Sequence, residues 1–356
     1  MTFCKKSIYF TTRHTAYFKY VVFCVMEGVI KWHIELRNIK KQFKVPIRKS
    51  GLKEAFKAFF KREYKQILAV DDISFQIEKG EIVGYIGPNG AGKSTTIKML
   101  TGILTPTSGM CVVDGMTPYL EREKYVAKIG VVFGQRSQLW WDIPAIDTFD
   151  LLADIYKLNH EEYIKTKDEL IKLLNLEEIV KIPVRQLSLG QRMRCEIAAS
   201  LLHKPEILFL DEPTIGLDAI SKTIVRNFIK KINKEQNVTV ILTTHDMKDI
   251  ETLAKRIILI GKGKILYDGS LTKLKNRYKT NKYINVECNQ LTKLRLKGII
   301  SQTKTKDGYE FVINSKILEM SKFLNVLSSK TEIKNIDIEE ENIDDIIVKL
   351  YEEFEL

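Results

Sequence analysis

Two stretches in the first quarter of the chain alternate apolar and polar residues. They are HIELRNIKKQF, residues 33–43, and ILAVDDISFQI, residues 67–77. Successive side chains of a β-strand point to opposite faces of the sheet, so a period of two is typical of strands with one buried face. The pattern predicts two half-buried strands, separated by an insertion at residues 45–66.

Farther along the chain, short runs are almost entirely apolar. One such run precedes the glycine-rich segment GPNGAGKS, and others occur in IGVVFG, EILFLDEP and VTVILTTH. Continuous apolar runs of this length suit parallel strands that are covered on both faces. Residues from about 135 to 203 lie between two of these runs and become helical in pattern from about residue 144. We therefore predict an α/β core with an inserted helical subdomain.

The insertion itself contains a helical pattern. In GLKEAFKAFFKREYKQ, residues 51–66, apolar residues recur at helical spacing and basic residues occupy the other positions. This predicts a basic amphipathic helix, for which two interpretations stay open. The helix lies against an anionic membrane surface, or its phenylalanines cover the neighbouring sheet while its lysines are solvated.

The pattern changes again near residue 281. The segments YINVEC and YEFVIN alternate, and the acidic segment IDIEEENIDDIIVKLYEEF follows with isoleucines at helical spacing. We predict a small, separate α/β domain at residues 281–356, after a first domain at residues 33–270.

The net charge of +12 is confined to the N-terminal end. Residues 1–66 contain 16 Lys and Arg against 4 Asp and Glu, and the rest of the chain is balanced. A neutral body argues against nucleic-acid binding.

The N-terminal residues 1–32 have two interpretations. They form a disordered basic extension, or translation starts at Met26 and residues 1–25 are not part of the protein. The 5 scattered cysteines favour a reducing cytoplasm, and no run reaches the roughly 20 apolar residues of a membrane span.

GPNGAGKS, residues 87–94, has the form of a P-loop, with a predicted strand before it and a helix after it. Its glycines let backbone N–H groups surround phosphates, Lys93 neutralises the β and γ phosphates of ATP, and the Ser94 hydroxyl binds Mg²⁺. The predicted phosphate-binding residues are Gly87, Pro88, Asn89, Gly90, Ala91, Gly92, Lys93, Ser94 and Thr95.

Polar residues end two of the apolar strands. Asp211 and Glu212 follow ILFL, and His245 ends VTVILTTH. An open α/β sheet binds its ligand at the carboxyl ends of its strands. We therefore predict that Asp211 holds Mg²⁺, that Glu212 polarises the attacking water, and that His245 contacts the γ-phosphate.

With these residues in order, the sequence resembles the ATP-binding subunits of ABC transporters. A glutamine loop at Gln135, a signature LSLGQ at residues 187–191 and a D-loop ending at Asp218 complete the family's series of motifs. The resemblance covers residues 33–270 and implies a P-loop NTPase fold of the ABC ATPase type.

The resemblance also implies cofactors and partners. Two such subunits close head to tail on two ATP molecules, so that Ser188, Gly190 and Gln191 of one signature meet the nucleotide of the other subunit. Asp218 would line the dimer seam, and Gln135 would bind Mg²⁺ or water. A separate membrane permease is the expected partner, which places the chain on the cytoplasmic face of the plasma membrane of a bacterium.

Two assignments stay open. The aromatic residue that stacks on adenine is Phe43 or Tyr64, and Gln138 competes with Gln135 because the local sequence is one residue longer than the family's usual form. Leu189 replaces a glycine of the usual LSGGQ. Provided that the leucine has ordinary backbone geometry and points away from the ligand, the path to the phosphate is kept.

The C-terminal segment resembles that of bacterial drug-exporter ATPases, including the daunorubicin-resistance group, which favours export. The alternatives are an importer ATPase, an ABC ATPase that acts on nucleic acid or ribosomes, and an adaptor with a degenerate site. A single P-loop and the absence of sustained heptads argue against the nucleic-acid and ribosome classes, and the intact Lys93, Asp211, Glu212 and His245 argue against the adaptor.

Overall fold

The computed structural model describes residues 32–46, 64–134, 136–278, 281–289, 291–340 and 342–354. The chain divides into two compact units, residues 1–268 and 269–356. Within the described residues, no helix combines the length and the apolar character needed to cross a membrane.

The first unit contains nine strands and seven α-helices within its described residues. The strands are β1 Ile34–Pro46, β2 Tyr64–Ile77, β3 Ile82–Ile86, β4 Ser108–Val113, β5 Ile129–Phe133, β6 Ile207–Asp211, β7 Thr239–Thr243, β8 Arg256–Gly261 and β9 Lys264–Ser270, the last of which runs across the boundary. The helices are α1 Lys93–Leu100, α2 Arg122–Val126, α3 Ala145–Ile155, α4 His160–Leu173, α5 Leu189–Ala199, α6 Ala219–Gln236 and α7 Met247–Leu253.

Strands β1, β2 and β4 form an antiparallel sheet in the order β2-β1-β4. Residues 45, 46 and 64–66, which the sequence analysis assigned to the insertion, belong to the hairpin between β1 and β2, where Val45 pairs with Lys65 and Pro46 pairs with Tyr64. The predicted helix is therefore wrong at its C-terminal end, because cross-strand pairing satisfies the backbone groups there. Its remaining part, residues 51–63, lies outside the described residues.

The second sheet of this unit has the strand order β5-β6-β7-β3-β8-β9. The strands from β5 to β8 pair in parallel. The four apolar residues of β6 and the five residues of β7 are all buried, as the continuous apolar runs predict. Helices α3, α4 and α5 all occur between β5 and β6, so the predicted helical subdomain interrupts this sheet along the chain.

The second unit has its own core and its own sheet. Its described residues form α8 Leu271–Tyr278, β10 Asn281–Cys288, β11 Ile299–Lys304, β12 Gly308–Asn314, α9 Met320–Ser328, β13 Ile333–Glu340 and α10 Ile343–Glu353. Its antiparallel sheet has the order β11-β12-β10-β13. The unit begins earlier than the predicted residue 281 because α8, with Leu271 and Leu274 buried, belongs to it.

Candidate nucleotide site

The P-loop joins β3 to α1 and is closed around its own lysine. Lys93 is the first residue of α1 and is only 6% exposed. Its Nζ donates to the carbonyl oxygens of Gly87 at 2.6 Å and Pro88 at 3.1 Å. The ammonium is thereby held at the N-terminus of a helix, where backbone N–H groups are free to bind an anion.

Gly92 shows why the loop needs glycine. Its φ is 106°, and a Cβ at this position would lie 2.5 Å from the carbonyl oxygen of Ala69 in β2. Any side chain would therefore be strained and would collide with backbone. The start of α1 therefore approaches the backbone of β2 closely at Gly92.

Burial and nearby charge act on Lys93 in opposite directions. Burial lowers the pKa of the ammonium, while the carboxylates of Glu212 and Asp211 oppose that shift. These two residues belong to the end of β6, so the structure brings together the P-loop and the predicted acidic strand end.

Asp211 is the last residue of β6 and is fixed by the neighbouring strand. It pairs in register with Thr243 of β7, whose hydroxyl donates to Asp211 Oδ1 at 2.5 Å. One carboxylate oxygen is therefore oriented by the protein. Thr243 is a site residue that the sequence analysis missed, and the only pattern that marks it is its position at the end of an apolar strand.

Glu212 and His245 lie side by side. His245 Nε2 is 3.0 Å from Glu212 Oε1, and the two side chains are 46% and 20% exposed, respectively. Glu212 has a φ of 56°, and its backbone N–H donates to the Thr243 carbonyl at 2.9 Å. This left-handed backbone conformation is uncommon for a residue with a side chain, and it occurs preferentially at functional sites.

Both residues face a cleft of about 350 Å³. The cleft is lined by Glu212, Thr214, Ile215, Gly216, Lys222, Thr244, His245 and Asp246. Because β6, β7 and β3 are neighbours and run in parallel, their carboxyl ends place Glu212, His245 and the P-loop at one edge of the sheet. This arrangement suits a phosphoryl group with a water molecule beside it.

The signature segment starts α5 with a capping box. Ser188 Oγ accepts from the backbone N–H of Gln191 at 3.2 Å, and Gln191 Oε1 accepts from the backbone N–H of Ser188 at 2.8 Å. The Gln191 side chain is thus engaged within its own helix end. A Cβ on Gly190 would lie 2.6 Å from Ser221 Oγ, so this glycine is also required by packing against α6.

Leu189 lies against the D-loop of the same chain. Its side chain is partly exposed, and its Cδ2 is 2.7 Å from where a Cβ on Gly216 would be. Gly216 has a φ of 68° and leaves room for the leucine. The leucine of the signature is therefore matched by a glycine two residues before Asp218.

Asp218 caps α6. Its Oδ1 accepts from the Ser221 backbone N–H and its Oδ2 accepts from the Ser221 hydroxyl, both at 2.8 Å. These hydrogen bonds lower the pKa of Asp218, which keeps the exposed carboxylate ionised. The role predicted for it at a dimer seam stays a prediction.

The geometry distinguishes the two candidates for adenine stacking. Phe43 pairs with Ile67, two residues before Ala69, which contacts the P-loop, whereas Tyr64 is five residues before Ala69. A strand rises about 3.3 Å per residue, so Phe43 is roughly 10 Å nearer to that contact along the sheet. Phe43 is the better placed of the two, and Lys41 Nζ lies 5.2 Å from its ring centroid.

The glutamine loop is described only in part. Gln135 lies outside the described residues. The alternative, Gln138, is tied to helix α5, because its side-chain amide donates to the Glu196 carbonyl at 3.0 Å and its backbone N–H donates to Glu196 Oε2 at 3.1 Å. These contacts assign Gln138 to the helical subdomain.

A separate group of possible metal ligands lies at the other end of the parallel sheet. One ligand atom each of His33, Asp114 and Glu206 lies within 4.8 Å of the others. Lys128 pairs with Asp114 and approaches Glu206 to 3.8 Å, and Lys79 pairs with Glu206 at 2.5 Å. Ammonium groups therefore already neutralise both carboxylates.

Comparison with known proteins assigns the family. The ABC transporter family model matches residues 70–215. The ABC transporter ATP-binding protein NatA of Bacillus subtilis is 35% identical over 215 residues, which cover 60% of this chain and 87% of that protein. The chain belongs to the ABC transporter ATP-binding proteins.

Two further proteins are similar to this ABC ATPase over most of its length. The linearmycin resistance ATP-binding protein LnrL of Bacillus subtilis is 32% identical over 293 residues, covering 78% of this chain and 94% of LnrL. A solved dimeric ATP-binding cassette in a post-hydrolysis state, bound to ADP and Pi, is 30% identical with a TM-score of 0.56, and the match covers 67% of this chain and 98% of that structure.

These matches confirm the predicted fold class and the predicted activity. The ABC ATPase binds and hydrolyses ATP as a subunit of a transporter. The individual roles of the site residues remain predictions, which the geometry described above makes testable.

Proposed function

We propose that this ABC ATPase drives export through a separate membrane permease, with two nucleotide-binding subunits closing on two ATP molecules. The observation that carries the ATP-driven part of the proposal is the assembled site, in which Lys93, Asp211, Glu212 and His245 converge at one edge of the sheet. Such a site is arranged for repeated hydrolysis, and an adaptor would not require it.

Hydrolysis would use the pair at the end of β6 and β7. Glu212 is half-buried, and its carboxylate would orient and polarise the water that attacks the γ-phosphate. His245, 3.0 Å from the glutamate, would hold that carboxylate and contact the γ-phosphate. Lys93 would exchange its carbonyl partners for phosphate oxygens and so neutralise the charge of the nucleotide.

The donor set fits Mg²⁺. Ser94 supplies a hydroxyl and Asp211 supplies a carboxylate, and oxygen ligands of this kind are those that Mg²⁺ prefers. Thr243 orients one Asp211 oxygen. When bound, the ion would neutralise charge on the phosphates, and Gln135 is a further proposed ligand.

The signature helix would act on the nucleotide of the second subunit. Ser188 and the backbone N–H of Gly190 lie at the N-terminus of α5, where the helix dipole favours an anion. The capping box keeps this turn helical, so the N–H groups stay oriented. Asp218, which caps the adjacent α6, would lie along the same seam.

Leu189 provides a test of this arrangement. Because its side chain packs on Gly216 of its own chain, Leu189→Gly should leave the steady-state ATPase rate within a few-fold of wild type. The rate would be measured by phosphate release at saturating ATP. A large loss would show instead that the leucine contacts the second subunit and shapes the nucleotide interface.

Export is supported by the likeness to LnrL, which is a resistance protein by its name. The aligned region covers 78% of this chain, more than the first compact unit can supply, so the likeness extends beyond the ATPase unit. The proposed location is peripheral, at the cytoplasmic face of the membrane beside the permease.

The direction of transport can be tested in cells and vesicles. Deleting the gene should raise the sensitivity of the cells to antibiotics, with linearmycin as the first compound tested. Expression of the wild-type protein should restore resistance, whereas expression of the Glu212→Gln variant should not. Inside-out vesicles should accumulate that compound only with ATP. Accumulation by right-side-out vesicles would show import, and unchanged sensitivity to the whole antibiotic panel would contradict drug export.

A further inference from the structure

Asp249 is a buried carboxylate that the mechanism above does not use. It lies in the first turn of α7 and is 0% exposed. Its Oδ1 accepts from Arg226 Nε at 2.5 Å, and its Oδ2 accepts from the Thr244 hydroxyl at 3.0 Å and from the Thr214 hydroxyl. A carboxylate so far from water is retained only when its hydrogen bonds and charge are satisfied, as they are here.

The two threonines belong to the two loops that contain Glu212 and His245. Thr214 is two residues after Glu212, and Thr244 immediately precedes His245. One carboxylate oxygen, Asp249 Oδ2, therefore accepts from both loops at once. Nothing in the sequence pattern marks this connection, because Thr214, Thr244 and Asp249 are brought together only by the fold.

The contacts continue on the other side of His245. The backbone N–H of Asp246 donates to Thr244 Oγ1 at 3.0 Å, while Asp246 Oδ2 accepts from Lys222 at 2.6 Å and from Arg226 at 3.1 Å. Both residues that flank His245 are thus held. Lys222 and Arg226 lie on α6, which begins at Asp218.

We propose that Asp249 is the positioning residue that sets the alignment of Glu212 with His245. The inference rests on the roles proposed above for those two residues. Asp249 is fully buried, and it would act by fixing the loops that hold the pair at 3.0 Å. The P-loop lies between β3 and α1, which do not contain Asp249 or its hydrogen-bond partners. We therefore expect the affinity of the P-loop for the nucleotide to be independent of this carboxylate.

The test is Asp249→Asn, which keeps size but replaces one accepting oxygen by a donating NH₂ group. Either Arg226 or both threonines then face a donor. Misplacement of reacting groups by about 1 Å can lower the reaction rate on the order of a hundred-fold. We therefore expect kcat to fall about ten- to a hundred-fold. The affinity measured by fluorescent-ATP titration should stay at the wild-type value.

A double-variant cycle separates positioning from general damage. If Asp249 acts through Glu212, then adding Asp249→Asn to the Glu212→Gln variant should lower kcat almost no further. Thr214→Val removes one hydrogen bond to Asp249 and should show a smaller kcat loss, which keeps the test informative should Asp249→Asn fail to fold. Asp150→Asn, which alters a carboxylate paired with Lys167 in the helical subdomain, is the control and should retain wild-type kcat.

Several outcomes would overturn the inference. Wild-type kcat in Asp249→Asn or Thr214→Val would do so, as would equal losses of kcat and ATP affinity, or full additivity with Glu212→Gln. A failure of the proposed catalytic roles is distinguishable, because Glu212→Gln alone would then hydrolyse ATP normally.

Discussion

Replacing Glu212 by Gln should abolish ATP hydrolysis almost completely while leaving ATP bound. The amide keeps the shape of the side chain but cannot take a proton, and general-base catalysis contributes about 10²–10⁴-fold in rate. The γ-phosphate then stays intact, so nucleotide should remain on the protein and trap the closed dimer. Phosphate release measures the first effect, and size-exclusion chromatography with ATP and Mg²⁺ measures the second.

Glu206→Gln is the matched control. Glu206 precedes the same strand, β6, at the opposite end of the sheet, where it pairs with Lys79. This change should leave turnover close to wild type, because surface ion pairs contribute only about 0–1 kcal/mol. Undiminished turnover in Glu212→Gln would disprove the role of Glu212 in water activation.

Replacing Lys93 by Ala should act at an earlier step, the binding of nucleotide. A hydrogen bond to a charged group contributes about 1.5–3 kcal/mol, which corresponds to roughly a ten- to hundred-fold loss of affinity for ATP. The loss follows from the position of Nζ, held at the mouth of the P-loop by the carbonyls of Gly87 and Pro88. Fluorescent-ATP titration measures it directly.

Lys98→Ala is the control for charge on the same helix, because Lys98 lies in the last turn of α1. The affinity of Lys98→Ala for ATP should change by less than about two-fold, because Lys98 is partly exposed and lies at the end of α1 away from the P-loop. Normal binding by Lys93→Ala would rule out this lysine as the phosphate clamp. The two substitutions together separate binding from chemistry, since Glu212→Gln keeps the nucleotide and Lys93→Ala loses it.

The strongest predictions from the sequence concerned residues that are adjacent in the chain and form one site together. The P-loop is continuous, so its glycines, its lysine and the start of α1 could be identified without any distant contact. Predictions that depended on pairing were weaker. The helix predicted up to residue 66 ends as strand at residues 64–66, because β1 supplies hydrogen-bond partners that a local helical pattern does not reveal.

The signature illustrates the same limit. Its sequence marks Ser188, Gly190 and Gln191 as a group, but only the structure shows that the Gln191 side chain closes a capping box. Likewise, the sequence places Phe43 and Tyr64 on equal terms, whereas the register of β1 with β2 places Phe43 nearer to the P-loop contact at Ala69.

By itself, the sequence determined the class of fold, the phosphate-binding loop and the strand-end positions of Asp211, Glu212 and His245, because apolar periodicity and short motifs are local properties. The tertiary structure decided which of these groups meet. The 3.0 Å approach of His245 to Glu212, the fit of Leu189 over Gly216 and the three hydrogen bonds to Asp249 all join segments distant in the chain. Such contacts depend on how strands and helices pack, and packing is specified by the whole chain at once.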